Sequence, residues 1–326
     1  MSKATARIYA CGGAGVNIGK LLLEFNRTEE PGAATIDVAF IDTSSSNIDN
    51  NINPESMYIF ENIDGSGSIR SENYKAISEN TLKILKKFEP KDINIVVSST
   101  GGGSGSVIAP SIVSQLLEDD QQVVVIQIGD SDSKIRINNS IRCIKSYEAI
   151  SQKRGKPVVI SYFENSTTNT RSSVDNSVRN VIIALSVVFS RQNSELDSRD
   201  LYNFLNFHKV TSNNPQIAEL SVLSQTTLKD FEESAVTVAT VAENESQANL
   251  EITPEYRCVG YLPASVNKEI ASSLPIHLVV TIGGFYDQIK AMEERVVQIE
   301  KDQKARRPQA RIISENDDPT ESGIIL

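Results

Sequence analysis

The chain predicts an α/β fold built on a parallel sheet, and three observations carry that reading. Strand-like and helix-like segments alternate through the first 190 residues. Strands such as Val123-Val124-Val125-Ile126 are apolar without alternation, as in a parallel sheet covered on both faces. A glycine-rich run, Thr100-Gly101-Gly102-Gly103-Ser104-Gly105-Ser106, follows the apolar strand Ile93–Ser98 and precedes a helix-like run, Val107–Leu117. Ligands of such folds bind beyond the strand C-termini.

In chain order, Ala6–Cys11 reads as a strand, Gly15–Phe25 as a helix, Thr35–Ile41 as a strand and Met57–Phe60 as a short one. Glu72–Phe88 is a helix. The glycine run follows Ile93–Ser98, and Pro110 suits only the first turn of the helix behind it. Gln122–Ile128 and Pro157–Tyr162 are strands flanking a helix at Arg136–Lys153. Val174–Gln192 carries Val174, Val178, Val181, Ile182, Leu185, Val188 and Phe189 at i, i+3, i+4 spacing. So apolar a helix, placed after the sheet, runs through the middle of the protein and joins two domains. Asp175 opens it, and Ser198–Phe207 is a further helix.

From about Ser212 the character changes to a smaller α+β unit. Its strands are Ala235–Ala242, Tyr256–Leu262 and Ile276–Ile282, with a polar loop at Glu243–Glu251 and a charged helix at Phe285–Lys304. The predicted division is 1–173, 174–210, 211–304 and 305–326. Residues 301–311 hold five basic groups and one acid, whereas 312–326 hold four acids, no bases and an apolar end, Ile324-Ile325-Leu326.

At 326 residues there is room for about two domains. A net charge of −10 argues against a nucleic-acid-binding surface. Three cysteines, no CxxC and two histidines leave a disulfide scaffold, a zinc site and a His-based triad unsupported. No leader is expected ahead of the first strand, no run of about 20 apolar residues is present, and a reducing cytoplasm is expected.

Four glycines with interspersed serines do not serve core packing, because glycine in a regular element costs about 0.5–1 kcal/mol relative to alanine. Strand, glycine loop and helix together point backbone N–H groups at an anion. A second loop, Gly12-Gly13-Ala14-Gly15-Val16-Asn17-Ile18-Gly19, follows the first strand. It misses a dinucleotide fingerprint at Ile18, and it misses a Walker loop at Ala14 and Leu21. Two glycine loops at parallel strand ends make a shared phosphate cradle. Asp42-Thr43-Ser44, the loop Gly65-Ser66-Gly67-Ser68, Asn138, Arg142, Asn165 and Asp175 belong to the same edge.

Gly12–Asn17, the GGGSGS of 101–106 and the helix–DxxD arrangement at 197–200 resemble the tubulin/FtsZ superfamily. GGGSGSV, a short second domain and an acidic, apolar-ended tail look most like the bacteriophage tubulins of the PhuZ type. Cellular relatives read GGGTGSG, so Ser104 keeps the hydroxyl of a threonine and Val107 replaces a glycine.

The resemblance implies a GTP/GDP site. Gly12, Gly13, Gly15, Gly101, Gly102, Gly103, Ser104, Gly105 and Ser106 would cradle the phosphates, and Asn17 and Asp175 would contact the base. Asn138 and Arg142 would meet ribose, and Asn165 ribose or base. Asp175 also has a chemical warrant: a carboxylate accepts from guanine N1–H and N2–H together, a pattern adenine lacks. Mg2+ would be held through phosphates and water. Asp197 and Asp200 would polarise the attacking water from a loop inserted into the neighbouring subunit's pocket, with Glu195 replacing the asparagine common in cellular relatives.

The implied protein is a polymerisation-activated GTPase forming head-to-tail filaments that position phage DNA or its replication compartment. It would act in the infected host cytoplasm with no membrane or direct nucleic-acid partner, its acidic tail engaging the next subunit. A Rossmann-type oxidoreductase and a tubulin-like nucleotide binder that does not polymerise are the alternatives.

Overall fold

The structure is a computed structural model and describes residues 3–25, 31–48, 51–166, 168–263 and 268–306. The acidic tail expected at 312–326, and the basic residues Arg307 and Arg311, lie outside the described residues.

The elements run β1 (Thr5–Cys11), α1 (Gly12–Phe25), β2 (Thr35–Asp42), β3 (Met57–Ile59), α2 (Tyr74–Lys87), β4 (Ile93–Ser99), α3 (Gly105–Glu118), β5 (Val123–Asp130), α4 (Lys134–Arg154), β6 (Val158–Asn165) and α5 (Arg171–Val188). They continue as α6 (Ser198–Leu205), β7 (Ile217–Leu223), α7 (Gln225–Leu228), β8 (Ala235–Ala242), α8 (Glu245–Ala248), β9 (Tyr256–Tyr261), α9 (Lys268–Ser273), β10 (Ile276–Thr281) and α10 (Gly284–Arg306).

The strands form one sheet in the order β3-β2-β1-β4-β5-β6-β7-β10-β8-β9. From β3 to β6 every pairing is parallel. The strand period of two sorts the side chains onto two cores. Ile8 and Ala10 face one hydrophobic cluster, with α1, α5 and α6, while Tyr9 and Cys11 face the other, with α2, α3 and α4. Val124 and Ile126 divide from Val123 and Val125 in the same way.

The α+β unit expected after residue 211 does not start a separate sheet. The strand at Ile217–Leu223, absent from the sequence reading, pairs in parallel with β6 through Val158↔Ile217, Val159↔Ala218 and Ile160↔Glu219. It pairs antiparallel with β10, so one sheet runs through both halves. One hydrophobic cluster likewise includes Val124 of β5 and Val241 of β8.

Three boundaries move in ways that matter for the site. Helix α3 starts at Gly105, so Pro110 lies past its first turn. Proline lacks the N–H that Ser106 C=O would normally receive; the Cys143 thiol donates to that carbonyl instead, at 3.7 Å. Helix α5 starts at Arg171, capped by the Thr170 hydroxyl accepting from Ser173 N–H, so Asp175 lies inside the helix rather than opening it. Helix α1 begins at Gly12, with no intervening loop after β1.

Candidate functional site

Parallel register brings the C-terminal ends of the first strands to one edge. Cys11 pairs with both Ser98 and Ile41, and Asp130 pairs with Asn165. A cavity of about 570 Å³ opens there. The first turns of α1 and α3 both border it, so two helix N-termini with their partial positive charge meet at the cavity. Their approach requires glycine. Gly12 has φ +69°, and a Cβ on it would stand 2.9 Å from the Cα and N of Gly105. A Cβ on Gly105 would stand 2.7 Å from the Cys11 carbonyl oxygen.

A cluster of hydroxyls ties the loops of this edge together. Ser104 occupies the N-cap position of α3 but makes no capping bond. Its Oγ lies 2.5 Å from Thr43 Oγ1 and 2.8 Å from Ser66 Oγ. Asn73 donates to Ser66 Oγ (2.8 Å) and to the Gly65 carbonyl (2.6 Å). The segments following β2, β3 and β4 therefore meet on one hydroxyl. Beside it, the buried Asp42 carboxylate accepts from Thr43 N–H (2.7 Å) and Asn47 Nδ2 (2.9 Å). Burial pushes the Asp42 carboxyl up, and these hydrogen bonds oppose that shift.

Asn165, Arg171 and Asp175 also line the cavity. Asn165 Oδ1 is buried without a hydrogen-bond partner, which marks a place for a donor from a ligand. Asp175 is half-buried. Burial pushes its carboxyl above the ordinary aspartate value, and Arg171 pulls it back. At the mouth, Arg136 pairs with Asp130. Five lining aspartates (Asp42, Asp64, Asp130, Asp132 and Asp175) face only two lining arginines, Arg136 and Arg171.

Of the residues singled out in the sequence, Gly12, Gly13, Gly102, Gly103, Ser104, Gly105, Asn165 and Asp175 line this cavity. Gly15, Asn17, Gly101, Ser106, Asn138 and Arg142 are not among its lining residues. Gly15 serves packing of α1 on β4, since a Cβ there would stand 2.6 Å from the Val97 carbonyl. Gly101 lies against the Arg136 side chain, with 3.2 Å between a Cβ on it and Arg136 Cβ. The Ser106 hydroxyl donates to the Gly102 carbonyl at 2.5 Å and so shapes the loop from behind. Asn17 on α1 and Asn138 on α4 are half-buried. Arg142 lines a separate cleft with Ile69, Arg70 and Tyr74. Sequence reasoning missed Asn47, Asp130, Arg136 and Arg171. The acid–base spacing after the strand end at Asp130 was the one available signal.

Asp197 and Asp200 lie far from this cavity. Helix α5 borders the cavity at Arg171 and Asp175, and its 18 residues span about 27 Å. Its far end is fixed at the opposite edge of the sheet: Ser190 C=O accepts from Ala4 N–H and Ser186 C=O from Ala34 N–H, just ahead of β1 and β2. The chain then turns through Glu195, at φ +69°, into α6. Asp197 caps α6, accepting from Arg199 N–H (2.7 Å) and Asp200 N–H (2.9 Å). Asp200 completes the capping box by accepting from Asp197 N–H (3.2 Å), and it also accepts from Tyr256 Oη (3.1 Å). These backbone donors hold the Asp197 carboxyl below the usual aspartate range.

The sequence model of the Tubulin/FtsZ family, GTPase domain, matches residues 7–153, the stretch that supplies both glycine loops. A phage tubulin-like protein of Pseudomonas phage phiKZ is 29% identical over 100% of this chain and 99% of that one. Another, from Pseudomonas phage PhiPA3, is 28% identical with full coverage of both. The fold is similar to that of a protofilament of TubZ from bacteriophage PhiKZ, with TM-score 0.86 and 30% identity over 98% of this chain and 99% of that one.

The chain belongs to the tubulin/FtsZ family. A phage tubulin PhuZ–GDP structure, 23% identical, shares the fold with TM-score 0.87 over 98% of this chain and 99% of that one. Most of the cavity's lining residues fall within the match to the tubulin/FtsZ GTPase domain, with Asn165, Arg171 and Asp175 beyond it, and the chain carries GTPase activity in the family's sense. Among the described residues no helix is long and apolar enough to cross a membrane.

Proposed function

We propose that this protein is a GTP-hydrolysing cytoskeletal filament subunit whose active site is divided between two copies. The observation that carries the reading is the separation of its two halves. The glycine cradle borders one end of α5, and Asp197 and Asp200 follow the other end about 27 Å away. One copy cannot bring them together. A second copy stacked head-to-tail presents its Asp197/Asp200 turn to the first copy's cavity.

In this arrangement the N-termini of α1 and α3 and the intervening glycines hold the phosphates. Asp175 accepts from the guanine edge, with Asn165 beside it. Asp197 and Asp200 of the next copy orient and polarise the water, so catalysis is positioning and electrostatics. Mg2+ would be held through phosphate oxygens and water. Bound there, Mg2+ supplies charge neutralisation to the phosphates. The filament structures of relatives support assembly, and the acidic tail is expected to engage the next subunit. The expected cargo is phage DNA or its replication compartment in the host cytoplasm.

GTP turnover per molecule should rise steeply with protein concentration across the assembly threshold, followed by phosphate release and sedimentation together. A turnover per molecule that is constant from nanomolar concentrations upward would refute the divided site.

A further inference from the structure

The turn that carries Asp197 and Asp200 carries a third charged group. Both carboxylates are engaged within their own copy: Asp197 by two backbone N–H groups, Asp200 by Asp197 N–H and the Tyr256 hydroxyl. Arg199 lies between them and is exposed. Its backbone N–H caps the helix, and its guanidinium lies 5.2 Å above the Tyr202 ring. Stacking on an aromatic face holds a guanidinium in place without neutralising it. The turn therefore presents a preorganised cation, and Lys209, whose Nζ lies 4.5 Å from the same ring centroid and donates to the Tyr202 hydroxyl, adds positive charge beside it.

The cavity this turn would meet is short of positive charge. Its five lining aspartates exceed its two lining arginines, one of which is already paired with Asp130, and no lysine is among the described residues that line it. A triphosphate adds further negative charge. During hydrolysis the water oxygen bonds to the γ-phosphorus. The bond from that phosphorus to the bridging oxygen breaks, leaving its electron pair on the β-phosphate of GDP, and the water proton leaves with the inorganic phosphate. Negative charge grows on the bridging and γ-oxygens during this step, and a fork of N–H donors matches those oxygens.

We infer that Arg199 is a catalytic residue supplied in trans, reaching the phosphates in the neighbouring copy's cavity as the turn of Asp197 and Asp200 closes on it. The inference rests on the head-to-tail reading above, and its test keeps the two separable. Arg199→Ala removes no capping bond, so α6 should form as before. The full-length variant should bind GTP and sediment as filaments with a slowly hydrolysed GTP analogue at the wild-type critical concentration. Its turnover within filaments should fall about 10³-fold, the low end for an arginine supplied in trans. Arg199→Lys should recover part of that loss, since it restores charge without the fork. GDP with aluminium fluoride should sediment wild-type filaments in a transition-state-like complex and fail to do so with Arg199→Ala.

Filaments of Arg199→Ala that hydrolyse at the wild-type rate would overturn the assignment while leaving the divided site intact. A raised critical concentration with unchanged turnover in filaments would also overturn it, making Arg199 an interface contact. Failure of the wild-type chain to sediment at all would instead reject the head-to-tail reading.

Discussion

At the scale of single residues, the proposed preference for guanine rests on Asp175, which lines the cavity. Its carboxyl is raised by burial, so the apo protein keeps it protonated to a higher pH than the unfolded chain does. That contribution to stability is present below the unfolded value and is lost as pH rises through the folded one. Only the ionised form accepts both guanine N–H groups, so GTP affinity should climb as pH rises through the same raised value. Asp175→Asn should flatten that limb in a binding titration. It should also weaken GTP by about tenfold or more and favour XTP, whose C2 oxygen accepts from the new amide. Unchanged GTP affinity in that variant would remove Asp175 from the base site. Asp175 was placed at this edge from the sequence and does line the cavity, inside α5 rather than at its start. Arg136 and Arg171 were not, because an arginine in the first turn of a helix is common and only the fold reveals that it faces a cavity.

Strain at Glu195 belongs to the same scale. A side chain at φ +69° is uncommon outside Asn and Asp, so Glu195 sits in a backbone region that asparagine would occupy more readily.

At the scale of elements, the loops that define the phosphate end are held by the hydroxyl cluster, and Thr43 tests it. Thr43 is fully buried and its hydroxyl contacts Ser104. Thr43→Val keeps the shape and removes the bond. The variant should lose about 1–2 kcal/mol in denaturant unfolding and bind GTP more weakly, because Ser104 then relies on Ser66 alone. Stability and affinity equal to wild type would mean that the loops are held by their backbones. Most elements here were legible. The unbroken apolar strands announced the parallel sheet, and the glycine run announced the turn before α3. Strand β7 escaped because Glu219 and Ser221 break its apolar run; only Ala218 and Leu220 are fully buried, and the other residues are half-buried. Its place beside β6 is a long-range pairing that no local pattern encodes. Pro110 misled for a related reason: its cost is met by Cys143, a residue 33 positions later, through the carbonyl of Ser106.

At the scale of the whole molecule, the cavity and the Asp197/Asp200 turn adjoin opposite ends of α5, so the proposed divided site requires each filament contact to be a heterologous one. Two variants, each defective in a different half, should therefore rescue one another. Asp200→Ala keeps the cavity and loses the water-positioning group. Gly105→Ala keeps Asp197, Arg199 and Asp200 but drives a Cβ to 2.7 Å from the Cys11 carbonyl, closing the cradle. Each alone should hydrolyse little GTP. Mixed in equal amounts, a cavity of the first that meets the turn of the second is complete. Random order would make about a quarter of all contacts productive, because each contact needs one particular copy on each side. Phosphate release from the mixture should approach that share of the wild-type rate, while co-sedimentation measures how much Gly105→Ala enters the filaments. No recovery in filaments that contain both chains would place the catalytic aspartates and the cavity within a single copy, against the 27 Å or so that α5 sets between them.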